Sequence, residues 1–465
     1  MTGIVERPLD ILRARSAGEV LGDGDPGYDS ARSLWNGIID RRPAAIARCR
    51  TAEDVRAAVT AGRECGLEIA VRGGGHSFSG SSSCDGGLMI DLSQMSGVAV
   101  DPAERRARCG GGATWADVDG ATQEFGLATP GGVISHTGIG GLTLGGGMGW
   151  LTRHAGLALD NLVSAEVVTA DGRIVRASAA ENPDLFWALR GGGGNFGVVT
   201  EFEYRLRPVG PEVHVGFLFW ESGRAAAALQ LCRDVLSNLP EGISALLGAG
   251  LSAPPMPFVP PEHFFAPGNA LILAGFGSAS DHLQAVDIVR AALPPLFDHV
   301  TPMPYTQLQR ILDDSAPWGV NAYEKALYLD DLNESVIDTI VEFTRRKKSP
   351  MSFAPTFRLD GAFTDPSDDD TAFGGPRNPC YVFNISAVTP EPLQFPAERA
   401  WVRDFWSALR PHASSSGSYV NFMSEYDDDR LRATFGADKY DRLAAVKAAY
   451  DPDNIFHLNP NIKPK

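Results

Sequence analysis

Residues 71–80 read Val-Arg-Gly-Gly-Gly-His-Ser-Phe-Ser-Gly, and the run before them, Glu68 to Arg72, is short and apolar enough to form a strand. Consecutive glycines after a strand leave backbone N–H groups free to converge on one concavity, a nest suited to a pyrophosphate. The residue that follows the nest, His76, then stands where a cofactor's ring system can be reached. Alone, such a histidine reads as structural. After this loop it reads as functional.

A second glycine-rich segment lies about sixty residues on. From Gly131 to Gly149, nine of nineteen residues are glycine. Glycine inside regular elements costs about 0.5–1 kcal/mol relative to alanine, so a run this dense points to close approach of backbone to a ligand. Two familiar nucleotide motifs are excluded. Gly192-x-Gly194-x-x-Gly197 matches the dinucleotide fingerprint in letters only. A helix precedes it and a strand follows, the reverse of what that fingerprint requires. Gly75-x-x-x-x-Gly80 lacks the Lys-Ser/Thr of a P-loop.

Around these loops the chain reads as an ordinary globular protein of 465 residues and two or three domains. No apolar run approaches the roughly 18 residues of a membrane span, and the N-terminus lacks a secretory pattern, so cytoplasmic residence is the expectation. A net charge of -16 argues against nucleic acid as a partner. The basic run Arg345-Arg346-Lys347-Lys348 reads as a solvated helix end. Six scattered cysteines form no C-x-x-C pair, and no histidine motif suggests a metal.

Thr51 with Asp54, and Thr114 with Asp117, have capping-box spacing and open helices that stop near Gly66 and Gly126. Asp171-Gly172 between two apolar runs marks a hairpin. Pro183–Arg190 is a short helix, and 202–206 alternates as a strand. Beyond Pro208-Val-Gly-Pro211 the texture changes to strands (213–220, 270–276, 351–359, 381–387) separated by helices near 222–239, 280–293, 334–346 and 397–409. The segments 254–267, 302–304 and 365–370 read as surface connections, and a last helix fits 439–450. This predicts an α+β chain with an antiparallel sheet covered by helices on one face.

The sequence resembles the FAD-linked oxidases of the berberine-bridge-enzyme-like and 6-hydroxynicotine-oxidase type, within the vanillyl-alcohol-oxidase superfamily with a PCMH-type FAD-binding domain. Four motifs carry the resemblance in order: VRGGGHSFSG (71–80) with DGGLMIDLSQM (85–95), GIGGLTLGGGMGWLTRHAGLALDNL (138–162), DLFWALRGGGGNFGVVTEFEYRL (184–206), and the tail YVNFMSEYDDDRLRATFG (419–436) with YDRLAAVKAAYDPDNIFHLNPNI (440–462). The resemblance implies a two-domain fold, with an FAD-binding domain from 1–207 completed by 419–465 and a substrate domain from 208–418. The pocket would lie between them. It implies FAD bonded through its 8α carbon to His76. It further implies cofactor contacts from Arg72, Gly73, Gly74, Gly75, Ser77 and Gly80 on the first loop. On the second they come from Gly132, Thr137, Gly138, Gly141, Leu142, Gly145 and Gly146. Val199, Asn421 and Asn459 complete the set.

Departures from the family pattern bear on mechanism. Many relatives form a second thioether from a cysteine four residues before the glycine matching Gly138; Ile134 stands there, so His76 is expected to be the only link. A less oxidising flavin and a less open pocket follow. Gly141-Leu142 replaces a Gly-Gly-His of doubly linked members. Thr137 is nearly isosteric with the valine of oxygen-reactive members, which favours an oxidase, O2 as acceptor and H2O2 as product. The tail tyrosine used by many relatives is Phe422, and a second functional position holds Asn384, which has no useful pKa for general base work. His136, Tyr323, Asp360 and Arg358 remain as candidate polar groups, each with a structural alternative. The expected reaction is hydride transfer from a small alcohol, lactol or amine to the flavin. The rivals are a dehydrogenase with another acceptor and a catalytically degenerate flavin-bearing binding protein. Substrate and oligomeric state are not legible.

Overall fold

The helix that precedes the first glycine loop forms as its spacing predicts. In the computed structural model, which describes residues 8–15, 18–415, 417–426 and 428–465, the Thr51 hydroxyl accepts from the Asp54 amide. The Asp54 carboxylate accepts from the Thr51 amide in return, capping Ala52–Glu64. The same box, Thr114 with Asp117, caps Trp115–Gln123. The first helix packs its apolar stripe (Val55, Ala58, Val59) on a four-stranded sheet, β1 (Glu19–Leu21), β2 (Ala45–Arg48), β3 (Ile69–Arg72) and β4 (Leu88–Asp91), in the order β1-β2-β4-β3. β4 runs parallel to both β2 and β3, so the chain leaves β3 at the sheet edge directly into the glycine loop.

A five-stranded antiparallel sheet follows, from β5 (Val98–Asp101), β6 (Arg106–Gly110), β8 (Leu162–Val168), β9 (Ile174–Ser178) and β10 (Val198–Arg205). The Asp171-Gly172 turn joins β8 to β9, as expected from its sequence. A two-stranded pair, β7 (Leu127–Ala128) with β11 (Arg207–Pro208), lies where the chain passes on to the third layer.

That layer is a seven-stranded, fully antiparallel sheet in the order β15-β12-β14-β13-β17-β18-β16. Its strands are β12 (Glu212–Glu221), β13 (Ile243–Ser252), β14 (Pro267–Gly275), β15 (Phe297–Pro304), β16 (Asn321–Leu329), β17 (Ala354–Leu359) and β18 (Cys380–Thr389). Helices Ala225–Leu236, Ala279–Ala292, Glu334–Thr344 and Phe395–Leu409 bury one face. The other face packs on Trp150, Leu157 and Tyr419, toward the glycine-rich segments. The tail returns beneath the five-stranded sheet, where Leu431, Tyr440 and Leu443 share a core with Trp115, Phe202 and Tyr204.

Three expectations need correction. β13, β15 and β16 are strands that the alternation analysis does not separate from loops. Pro302 and Pro304 belong to β15, not to a connection; β15 is an edge strand, where a missing N–H costs no ladder bond. Arg345, Arg346 and Lys348 are exposed, but Lys347 turns inward and donates to the Ser252 hydroxyl and the Ser349 carbonyl. Among the described residues, no helix is long and apolar enough to cross a membrane.

Candidate active site

The three glycine segments meet in one cavity because their backbones touch. A Cβ on Gly74 would lie 2.3 Å from the Gly138 nitrogen, and a Cβ on Gly138 would lie 2.3 Å from the Gly74 nitrogen. Neither position can carry a side chain. Gly75 turns at φ +72°, in the left-handed region that glycine adopts without penalty. Among the described residues, the amides of Gly74 to Ser77 donate to no protein acceptor, so this turn keeps its N–H groups for a ligand. The cavity then extends past Gly138 and Gly141 to Gly193, Gly194 and Asn459. An elongated, glycine-walled groove with unspent amides fits the pyrophosphate and flanking rings of FAD.

His76 sits at one end. Trp35 stacks on its ring at 5.0 Å between centroids, and Trp318 meets it edge-on at 5.8 Å. Its Nε2 shares a hydrogen bond of 2.7 Å with Nδ1 of His136. Burial first, then the neighbouring imidazole, pushes its pKa down to about 3. His76 is therefore neutral across the physiological range, held by one ring nitrogen with the other left to act. Burial also lowers the pKa of His136, opposed by the Asp313 carboxylate, which accepts from the Ser135 amide and hydroxyl.

Most residues expected to hold the cofactor line this cavity: Gly73, Gly74, Gly75, His76, Ser77, Gly132, Thr137, Gly138, Gly141, Leu142, Gly145, Val199, Asn421 and Asn459. Asn421 also clasps the second loop, donating to the Leu142 carbonyl and the Tyr419 hydroxyl. Arg72, Gly80 and Gly146 do not line it. Arg72 donates to the Ala31 carbonyl and lies 3.6 Å from Asp91 beneath the loop. The Gly80 carbonyl accepts from Arg41, and Gly146 packs against the Tyr419 ring.

The candidate polar groups divide by strand parity. Asn384, buried on β18, and Phe422 face the cavity. Tyr323 on β16 points to the opposite face, where its hydroxyl donates to Glu425 and accepts from Arg403. Asp360 is committed to Arg153 and Arg358, which joins the helix Thr152–Ala155 to the seven-stranded sheet. His136 contacts His76 and lies outside the cavity lining. Tyr323, Asp360 and His136 are thus not brought together with Asn384.

The structure adds a group that the sequence reading missed. Glu324, next to Tyr323 on β16, faces the cavity with the parity that Tyr323 lacks. Cross-strand register sets it opposite Ser386 and one inward position from Asn384. Its Oε2 and the Asn384 Oδ1 are buried without a hydrogen-bond partner. Burial pushes the Glu324 carboxyl up to about 7, while Ser386 and Asn384 act in the other direction. The available signal was the only acid in a mostly apolar run, Asn321–Leu329, where it is followed directly by Lys325.

With this geometry in view, the comparisons agree with one another. Residues 43–178 match the FAD binding domain model, and residues 418–463 match the model described as "Berberine and berberine like". The chain is 32% identical to (R)-6-hydroxynicotine oxidase of Paenarthrobacter nicotinovorans over the full length of both. It superimposes on the crystal structure of 6-hydroxy-D-nicotine oxidase from Arthrobacter nicotinovorans with a TM-score of 0.84 at 28% identity, covering 97% of this chain and 98% of that one. A structure of glucooligosaccharide oxidase from Acremonium strictum, described as carrying a 6-S-cysteinyl, 8α-N1-histidyl FAD, gives 0.83 at 25% identity over 99% and 100% of the chains. The chain belongs to the berberine-bridge-enzyme-like family of FAD-linked oxidases. It is a two-domain α+β flavoprotein and an FAD-dependent oxidoreductase.

Proposed function

We propose that the enzyme oxidises a small alcohol, lactol or amine, with Glu324 as the general base, His76 as the single covalent anchor of FAD, and O2 as the acceptor giving H2O2. Residues 1–207 and 419–465 serve the flavin, and 208–418 serve the substrate. Bound FAD supplies the hydride acceptor. The observation that carries this reading is the unpartnered Oε2 of Glu324 facing the cavity beside Asn384 and Ser386. A carboxyl near pKa 7 is poised to take the proton from a substrate O–H or N–H as the neighbouring C–H is cleaved. Asn384 orients that O–H or N–H with its free carbonyl oxygen. Phe422, Phe353 and Phe357 supply apolar walls that exclude water.

The single link rests on Ile134, which lines the cavity where a second thioether would need sulfur. His136 then acts on His76, by holding its ring, and not on substrate. The similarity to a relative with a histidyl FAD supports the link, and the small side chain of Thr137 on the cavity wall supports access of O2.

The test is anaerobic mixing of the purified yellow protein with alcohols, oligosaccharides, phenols and cyclic amines, following loss of flavin absorbance. At least one class should bleach the wild type rapidly. Glu324→Gln, which keeps shape and removes the base, should slow that step by about 10²–10⁴-fold. An unchanged rate would discard Glu324 as the base. Failure of every class to bleach the flavin would favour the non-catalytic reading.

A further inference from the structure

A second cleft, of about 360 Å³, lies outside the flavin cavity and shares no lining residue with it. Arg105, Arg106, Arg205 and Arg207 line it with His154, and Glu104 is the one carboxylate among the lining residues. Such a cluster runs against the charge of the chain, which carries 57 acidic against 41 basic residues.

The backbone fixes the cluster. Arg106 on β6 is directly opposite Arg205 on β10 in the antiparallel register, a like-charge pairing that weakens a ladder. The Arg105 carbonyl accepts from the Leu206 amide, closing the turn on the same strand end, and Arg207 follows on β11. Elsewhere on this sheet the arginines are matched: Arg176 pairs with Glu201 and Glu203. Among the described residues, none of the four cleft guanidiniums makes an ion pair or a side-chain hydrogen bond, although Asp101 is the register partner of Arg106 on its other side. Nη1 of Arg106 and Nε of Arg207 are also buried without a partner. Desolvated donors in a cationic group lack what they are built to meet, a planar or tetrahedral oxyanion taken by several forks at once.

We propose that this cleft binds a small soluble molecule bearing two adjacent phosphoryl groups. The oxyanions accept from Arg106 and Arg207 at the base and from Arg105 and Arg205 at the rim. The cleft sits where the chain crosses from the five-stranded to the seven-stranded sheet, and its size suits a small molecule better than a macromolecular surface.

Calorimetric titration of the holoenzyme with inorganic pyrophosphate should show saturable 1:1 binding that weakens as salt rises from about 50 to 200 mM. The double variant Arg106→Gln/Arg207→Gln should bind about tenfold or more weakly, whereas Arg56→Gln, a paired arginine on a distant helix, should bind as the wild type does. A second measurement needs no variant. Pyrophosphate should slow phenylglyoxal modification of peptides containing Arg106 and Arg207, but not of the peptide containing Arg56. Absence of saturable binding, equal affinity in the double variant, or absence of protection overturns the assignment. Binding to vesicles of anionic phospholipid without a response to pyrophosphate overturns it as well.

Discussion

The two walls of the flavin cavity are built on opposite principles. One wall is backbone: Gly74 and Gly138 touch through their main chains, and the amides of Gly74 to Ser77 are left free for a ligand. The facing wall is side chain, with Glu324, Ser386 and Asn384 projecting from β16 and β18 among Phe353 and Phe357. Backbone recognition needs residues without side chains, so it writes itself into the sequence as glycine. Side-chain recognition needs only that a residue fall on the inward parity of a strand. A one-residue shift would exchange Glu324 for Tyr323.

The backbone wall is tested most severely at the one side chain proposed to react with the cofactor. His76 is the only cavity residue proposed to bond the cofactor, so His76→Ala should abolish covalent flavin completely. Denatured wild-type protein should stay yellow after precipitation, and its tryptic peptide containing His76 should carry the flavin mass. The variant should lose its colour on denaturation. Colourless denatured wild type, or a flavin peptide from any cysteine, would break the single-link reading.

The side-chain wall has a pH signature. With its carboxyl near 7, Glu324 is protonated and idle as a base at pH 5. Flavin reduction should therefore rise about tenfold per pH unit between about 5 and 7 and level off above, a total of roughly 100-fold. Glu324→Gln should remove the rise. The same group predicts a stability effect of defined sign. Its folded pKa is raised above the ordinary glutamate value of 4.5, so its cost to the fold appears as pH climbs through 4.5 to about 7 and is complete above that. Glu324→Gln should stabilise the protein at pH 8 by about 3 kcal/mol and leave it unchanged near pH 4. Equal melting temperatures at pH 8 would mean that the carboxylate is better solvated than its burial indicates.

What could be read in advance follows the same division. The glycine loops, both capping boxes, the Asp171-Gly172 hairpin and the place of His76 in the cavity were legible because each depends on local backbone chemistry. Glu324 was not, since β16 is recognisable only once its pairing with β18 is known. Tyr323 and Asp360 were plausible as polar residues near the right strands, but parity sends one to Glu425 and ion pairing ties the other to Arg153. His136 adjoins Thr137 in sequence, yet its ring is hydrogen-bonded to His76 and does not line the cavity. The prolines of β15 hid a strand that only an edge position tolerates.

Between the two walls, Thr137 is the side chain proposed to control what reaches the reduced flavin. Its side chain lines the cavity beside the Gly74–Gly138 contact. Photoreduced enzyme mixed with air should reoxidise rapidly and release H2O2. Thr137→Leu should slow this by about tenfold, or roughly 1.4 kcal/mol, without changing reduction by substrate as strongly. Reoxidation of the wild type over many minutes, with rapid reaction of a quinone, would instead make the enzyme a dehydrogenase.

The smallest effect is expected at Phe422, where many relatives carry a tyrosine. Its ring lines the cavity and meets Tyr419 edge-on at 4.9 Å, while the Tyr419 hydroxyl accepts from the Gly147 and Asn421 nitrogens and so holds the tail in place. A hydroxyl added at 422 would project from this fixed segment into a cavity that already holds the Glu324 carboxyl. If Glu324 takes the proton, Phe422→Tyr adds a second acceptor near the same substrate atom with nothing further to remove. The flavin-reduction rate should then change by less than about tenfold, under roughly 1.4 kcal/mol. The same substitution in a Glu324→Gln background separates the alternatives. Were position 422 still the natural seat of the base, the tyrosine should rescue that enzyme by about 10²-fold or more. Little or no rescue places the proton transfer on the side-chain wall of the sheet, at Glu324.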